Sequence, residues 1–99
     1  MHCVTWTYEF SAEFSKADVE KQFNEVRHIY LGVPGLIRKY FGFSEDAKKV
    51  IGIYLWTSKA AAEAFYTPDW MAGVTKRWGV TPTKDEWVVP TVAENEVRI

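Results

Sequence analysis

The stretch Val50-Ile51-Gly52-Ile53-Tyr54-Leu55-Trp56 has no polar position. A strand of that kind needs apolar cover on both of its faces, whereas a strand with one wet face alternates. Residues 2–10 do alternate: His2, Val4, Trp6, Tyr8 and Phe10 fall on one side and Cys3, Thr5, Thr7 and Glu9 on the other. With 99 residues the chain is expected to form a single domain over 1–99, with room for one layer of helices against one sheet. One layer covers one face. The other face of the 50–56 strand is therefore left for a second copy of the chain.

The remaining elements follow from local signals. Ser15 with Asp18 three residues on is a helix start, and Val19, Phe23, Val26 and Tyr30 recur at helical spacing. The helix stops at Gly32, because Val33-Pro34-Gly35 is a turn that a helix cannot cross. Residues 36–43 read as a second strand, 44–48 as a polar turn and 49–57 as a third strand, forming a hairpin. Ser58 caps an Ala-rich helix over 59–66. Thr67-Pro68-Asp69 then restarts helical structure, with Trp70, Val74 and Trp78 four apart and Gly79 as the stop. Residues 82–89 form the last strand, and the polar tail from Thr91 to Ile99 is expected to reach across a partner. The order strand, helix, strand, strand, helix, strand predicts an α+β, ferredoxin-like βαββαβ fold with a four-stranded antiparallel sheet and helices on one face. Two such sheets packed through their open faces make a homodimer.

Charge and composition exclude several functions. Lys and Arg number 12 against 13 Asp and Glu, a net charge of −1 with mixed signs, which argues against nucleic acid as a partner. No apolar run approaches the roughly 18 residues that span a bilayer, and no signal-peptide pattern opens the chain, so a cytoplasmic location without a membrane partner is expected. Cys3 is the one cysteine and reads as a small buried hydrophobe. His2 and His28 lie at no metal-ligand spacing from it or from each other, so no metal is expected. The glycines stand singly, without a phosphate-binding loop.

What remains is aromatic. Rings make up 16% of the chain, with 5 Trp, 5 Tyr and 6 Phe, more than a small core readily hides. Trp6 and Tyr8 on the first strand, Tyr40 on the second, Tyr54 and Trp56 on the third, and Tyr66 and Trp70 at the helix break form one set. Buried Tyr and Trp need partners for their polar atoms, so the set suits an amphipathic cavity that binds a small aromatic molecule. Arg38, which shares parity with Tyr40, and Lys76 in the last helix are the candidate anion holders; His2, at the rim, is a candidate proton acceptor.

The runs Gly35 to Gly42, Ile51 to Ser58 (IGIYLWTS) and Ala60 to Tyr66 (AAAEAFY) resemble the YdhR-type mono-oxygenases of the dimeric α/β-barrel superfamily, over most of the chain. The resemblance implies a dimeric barrel with a site between sheet and helices in each subunit. It also implies that Trp56 matches the tryptophan lining the pocket of the quinone-forming mono-oxygenases, which use oxygen without a bound cofactor. Related plant cyclases carry His-Pro-x-His in the second helix, where this chain has Thr67-Pro68-Asp69-Trp70; haem-degrading relatives use a histidine there, and none lies between Ser58 and Gly79. The implied function is a cofactor-independent mono-oxygenase acting on a phenolic or enolisable aromatic. Trp56, Tyr54, Tyr8 and His2 are then the catalytic candidates, and Trp6, Tyr40, Tyr66, Trp70, Arg38 and Lys76 bind substrate. A non-catalytic binding protein and a polyketide cyclase or isomerase are the alternatives. The set contains no obvious general base.

Overall fold

The computed structural model describes residues 1–10 and 14–95. Its elements are β1 (His2–Glu9), α1 (Lys16–Val26), β2 (Leu36–Phe43), β3 (Lys49–Trp56), α2 (Lys59–Phe65), α3 (Pro68–Trp78) and β4 (Thr83–Val88). The strands form one antiparallel sheet in the order β2-β3-β1-β4. This is the expected ferredoxin-like α+β fold, with the second helical segment split into α2 and α3.

Each helix begins where a side chain relieves its unpaired amides. The hydroxyls of Ser15, Ser58 and Thr67 accept from the backbone amides of Asp18, Ala61 and Trp70 at 3.1–3.2 Å. Pro68 opens α3, and Gly79, at φ 74°, closes it in the left-handed region. After Val26 the first helix tightens into a 3-10 turn, Arg27–Tyr30, which ends on Tyr30.

The even-numbered residues of β1 and β3 face the helices. Val4, Trp6, Tyr8, Val50, Tyr54 and Trp56 are buried there with Val19, Ala62 and Trp78. Ile51, Ile53 and Leu55 lie on the opposite face, half-buried, and Trp87, 60% exposed, shares that face on β4, across β1 from them. The tail does not extend away over its described part: the Glu94 carboxylate meets Arg38 Nη2 at 3.1 Å, back on the chain's own β2. Residues 96–99 of that tail lie outside the described residues.

One irregularity decides what the helices see of β2. Leu36 pairs with Trp56, but Arg38 pairs with Leu55, so Ile37 is an extra residue and the strand is bulged. Beyond the bulge the alternation inverts. Lys39, Phe41 and Phe43 stand opposite Tyr54, Gly52 and Val50 and turn inward, whereas Arg38, Tyr40 and Gly42 turn outward.

Candidate active site

Between the sheet and the α1–α3 side lies a cavity of about 300 Å³. The 3-10 turn supplies Tyr30, β1 Tyr8, β2 Lys39 and Phe41, β3 Gly52 and Tyr54, and α3 Trp70, Val74 and Trp78. Phe23 and Val26 of α1 complete the wall, and Arg77 lies at the edge. The size and lining are those of a site for one small, flat, largely apolar molecule.

Lys39 is the charged chain within it. Its Nζ lies 3.5 Å from the ring centroid of Tyr30, 3.9 Å from that of Phe41 and 4.6 Å from that of Tyr54. Gly52 makes the approach possible: a Cβ there would stand 3.2 Å from Lys39 Cε and 2.9 Å from Tyr54 Cε1. Among the described residues no Asp or Glu lines the cavity, so no carboxylate offsets the loss of water around the amine. Burial pulls Lys39 down from its ordinary 10.5 to about 6. The three ring faces oppose that shift by favouring the ammonium, each by about 0.5–2 kcal/mol. Burial sets the direction, and the amine gives up its proton far more readily than an ordinary lysine.

The tyrosines behave in the opposite way. Burial pushes the hydroxyls of Tyr8, Tyr54 and Tyr66 well above the usual phenol range, so each stays protonated and serves as a hydrogen-bond donor, not a base. Tyr30 accepts from Trp70 Nε1 at 3.3 Å, which fixes both rings at the cavity.

The expected residues divide into three groups. Tyr8, Tyr54 and Trp70 line the cavity. Trp6, Trp56 and Tyr66 do not; they form a packed cluster beside it. Trp56 is fully buried, donates Nε1 to the Tyr66 hydroxyl at 3.1 Å and lies parallel to Tyr54 at 6.3 Å. Trp6 packs at 5.2 Å from Tyr66 and 5.1 Å from Trp70, and its buried Nε1 has no partner of good geometry among the described residues.

The third group points elsewhere. Tyr40, 54% exposed, and Arg38 are on the outer face because of the bulge, and they bond each other at 3.2 Å. Lys76 is exposed on α3; its neighbour Arg77 reaches the cavity edge instead, held by Glu25 at 3.3 Å and by Gln22. His2 faces inward but sits at the far end of β1 from Tyr8, roughly 20 Å along a strand. There it meets Glu86 at 3.3 Å, and that bond, with Lys84, holds the Glu86 carboxyl below its usual range.

Lys39 is the residue that sequence reasoning missed. The signal is a break in phase: Leu36 is even, whereas Phe41 and Phe43 are odd, so both ends of β2 cannot be buried without an inserted residue.

No protein-family model and no curated protein matches the sequence. Solved structures do. A monooxygenase from the gene ActVA-Orf6 of Streptomyces coelicolor, in complex with nanaomycin D, superposes with TM-score 0.72 at 14% identity over 96% of this chain and 92% of its own. A Deinococcus radiodurans protein assigned as an antibiotic-biosynthesis monooxygenase gives 0.73 at 13% identity, over 98% of this chain and 100% of its own. A variant of MhuD with two manganese protoporphyrin IX molecules per active site gives 0.66 at 15%, over 95% and 98%. The chain thus has the fold of the antibiotic-biosynthesis monooxygenases, and in it an aromatic cavity with one buried amine. Among the described residues no histidine or cysteine lines the cavity, and no three His, Cys, Asp or Glu side chains converge on a metal position. No described helix is long and apolar enough to cross a membrane.

Proposed function

We propose that the protein is a cofactor-independent monooxygenase that oxidises a small phenolic or enolisable aromatic in the cavity between sheet and helices. The observation that carries this reading is the Lys39 amine, set among Tyr30, Phe41 and Tyr54 with no carboxylate lining the cavity among the described residues, where burial pulls it well below the ordinary lysine range. The fold shared with antibiotic-biosynthesis monooxygenases supports the same reaction class.

The substrate ring lies in the cavity, against Trp70 and Trp78. Lys39 Nζ takes the acidic proton from the substrate's hydroxyl or activated C–H. The ammonium so formed rests over three ring faces and beside the new anion, so separated charge is stabilised where water is scarce. Tyr8 and Tyr54, held protonated, donate to the oxygen on which negative charge develops. The electron-rich anion reduces oxygen directly: a methylene carbon gains one oxygen atom and becomes a carbonyl, and its two hydrogens leave with the other oxygen atom as water. The protein binds, deprotonates, orients and excludes solvent.

We further infer that two copies pair through the outer sheet face, where Ile51, Ile53 and Leu55 are half-buried and Trp87 is exposed.

Oxygen uptake with anthrone-type phenols tests the reaction. Wild-type protein stripped of metal consumes oxygen and releases the quinone, and Lys39→Met does not. The amine among tyrosines also favours a second reading, an isomerase or cyclase that needs no oxygen. Product formed equally fast under anaerobic conditions would establish it in place of the first.

A further inference from the structure

We propose that Lys39 is also a carbonyl-capturing site, condensing with a small aromatic aldehyde held in the cavity to form an imine. The inference rests on the same cavity and amine as the function proposed above, but it requires neither oxygen nor a phenol. A lysine becomes a nucleophile toward carbonyls when its nitrogen is unprotonated, unpaired by carboxylate and reachable by a bound substrate. Lys39 meets all three conditions. Its stem crosses Gly52 and its Nζ lies over the Tyr30 and Phe41 rings, 3.5 Å and 3.9 Å from their centroids, so a flat aldehyde lying beside those rings in the cavity presents its carbonyl carbon to the nitrogen. The cavity, about 300 Å³, accommodates one or two fused rings.

The groups facing the amine are compatible with the chemistry. Tyr30 comes from the 3-10 turn, and Tyr54 from β3 and Tyr8 from β1 carry hydroxyls that burial keeps protonated; Arg77 of α3 lies at the edge with its charge met by Glu25. Arg38 is on the outer face of the same strand, paired with Glu94. The nitrogen lone pair forms a C–N bond to the carbonyl carbon as the carbonyl π bond breaks, and the nitrogen proton passes to the oxygen. The carbinolamine oxygen then leaves as water while C=N forms, the second nitrogen proton reaching it through a tyrosine hydroxyl that donates its own proton as it accepts that one, so that no free tyrosinate forms. Aldehyde and amine give imine and water, with no oxidant or reductant consumed.

The test incubates the full chain at pH 7 with 2-naphthaldehyde and cyanoborohydride, which reduces the imine to a stable secondary amine, followed by intact mass measurement and peptide mapping. One adduct at Lys39 is expected, formed at least tenfold faster than at any other lysine, slowed by excess 2-naphthol and falling off below about pH 6. Mapping on the wild type stands without any variant, and Lys39→Arg, which keeps the stem, is expected to lose that adduct. Labelling of Lys16, Lys49 or Lys84 at the same rate as Lys39, or no adduct at all, overturns the proposal. Oxygen uptake on phenols without aldehyde is measured separately, so that either activity can be lost while the other is retained.

Discussion

Two aromatic regions lie side by side on the helix-facing side of this sheet, and they differ in whether they border a cavity. Around Trp56 the rings close on each other: Trp6, Tyr54, Tyr66 and Trp70 pack at 4.8–6.4 Å, and Trp56 is fully buried with its nitrogen bonded to Tyr66. Around Lys39 the rings of Tyr30, Phe41 and Tyr54 are no farther apart, at 5.7 Å, but they border a cavity of about 300 Å³ that also holds the lysine amine. The ring types are the same. What separates core from cavity is backbone: a bulge at Ile37 that turns a lysine inward, and a glycine at 52 that lets its stem pass.

That contrast can be broken in several places. The largest effect is expected from Lys39→Met, which removes the proton acceptor and keeps much of the apolar stem. Turnover should fall about 10²- to 10⁴-fold while ligand quenching of Trp70 and Trp78 fluorescence persists; unchanged turnover would move the base elsewhere. Gly52→Ala places a methyl 2.9 Å from Tyr54 and 3.2 Å from Lys39. It should cost about 1–3 kcal/mol by denaturant melting and lower turnover at least tenfold, as an overpacked site does. Trp56→Phe should reverse that pattern. About 2–3 kcal/mol of stability goes with the lost indole and its bond to Tyr66, yet ligand affinity of the folded protein should stay within about threefold.

Lys39 also sets a pH dependence of stability. Below about pH 6 both folded and unfolded chains carry its proton; between about 6 and 10.5 only the unfolded chain does. Unfolding there takes up a proton, so stability rises with pH across that window and falls as pH drops toward 6. Lys39→Met should remove the rise and stabilise the protein at pH 7, a gain that vanishes near pH 10 in urea melts. The smallest effects belong to the outer face: Arg38→Ala and Tyr40→Phe should change stability by about 0.5 kcal/mol or less and turnover by less than twofold.

Most of the fold was legible because its signals are local. The alternation of β1, the Ser15, Ser58 and Thr67 caps, Pro68 and the apolar run of β3 each specify an element without reference to another. The site was legible only where strand parity stays in register, which it does for Tyr8 and Tyr54. It failed for Arg38 and Tyr40, because one inserted residue inverts every side chain beyond it. Trp56 shows a different limit. Parity places it among the helices correctly, but whether a buried ring borders a void depends on the volumes of Tyr66 and Phe65 packed against it, which no periodicity reports.

The central claim is that Lys39 is an unprotonated base inside the cavity, and a titration of that one amine addresses it directly. With lysine labelled at Cε and the Lys39 signal assigned by its loss in Lys39→Arg, its NMR shift should titrate with a midpoint near 6, apart from the other lysines. A midpoint near 10, shared with surface lysines, would contradict the account.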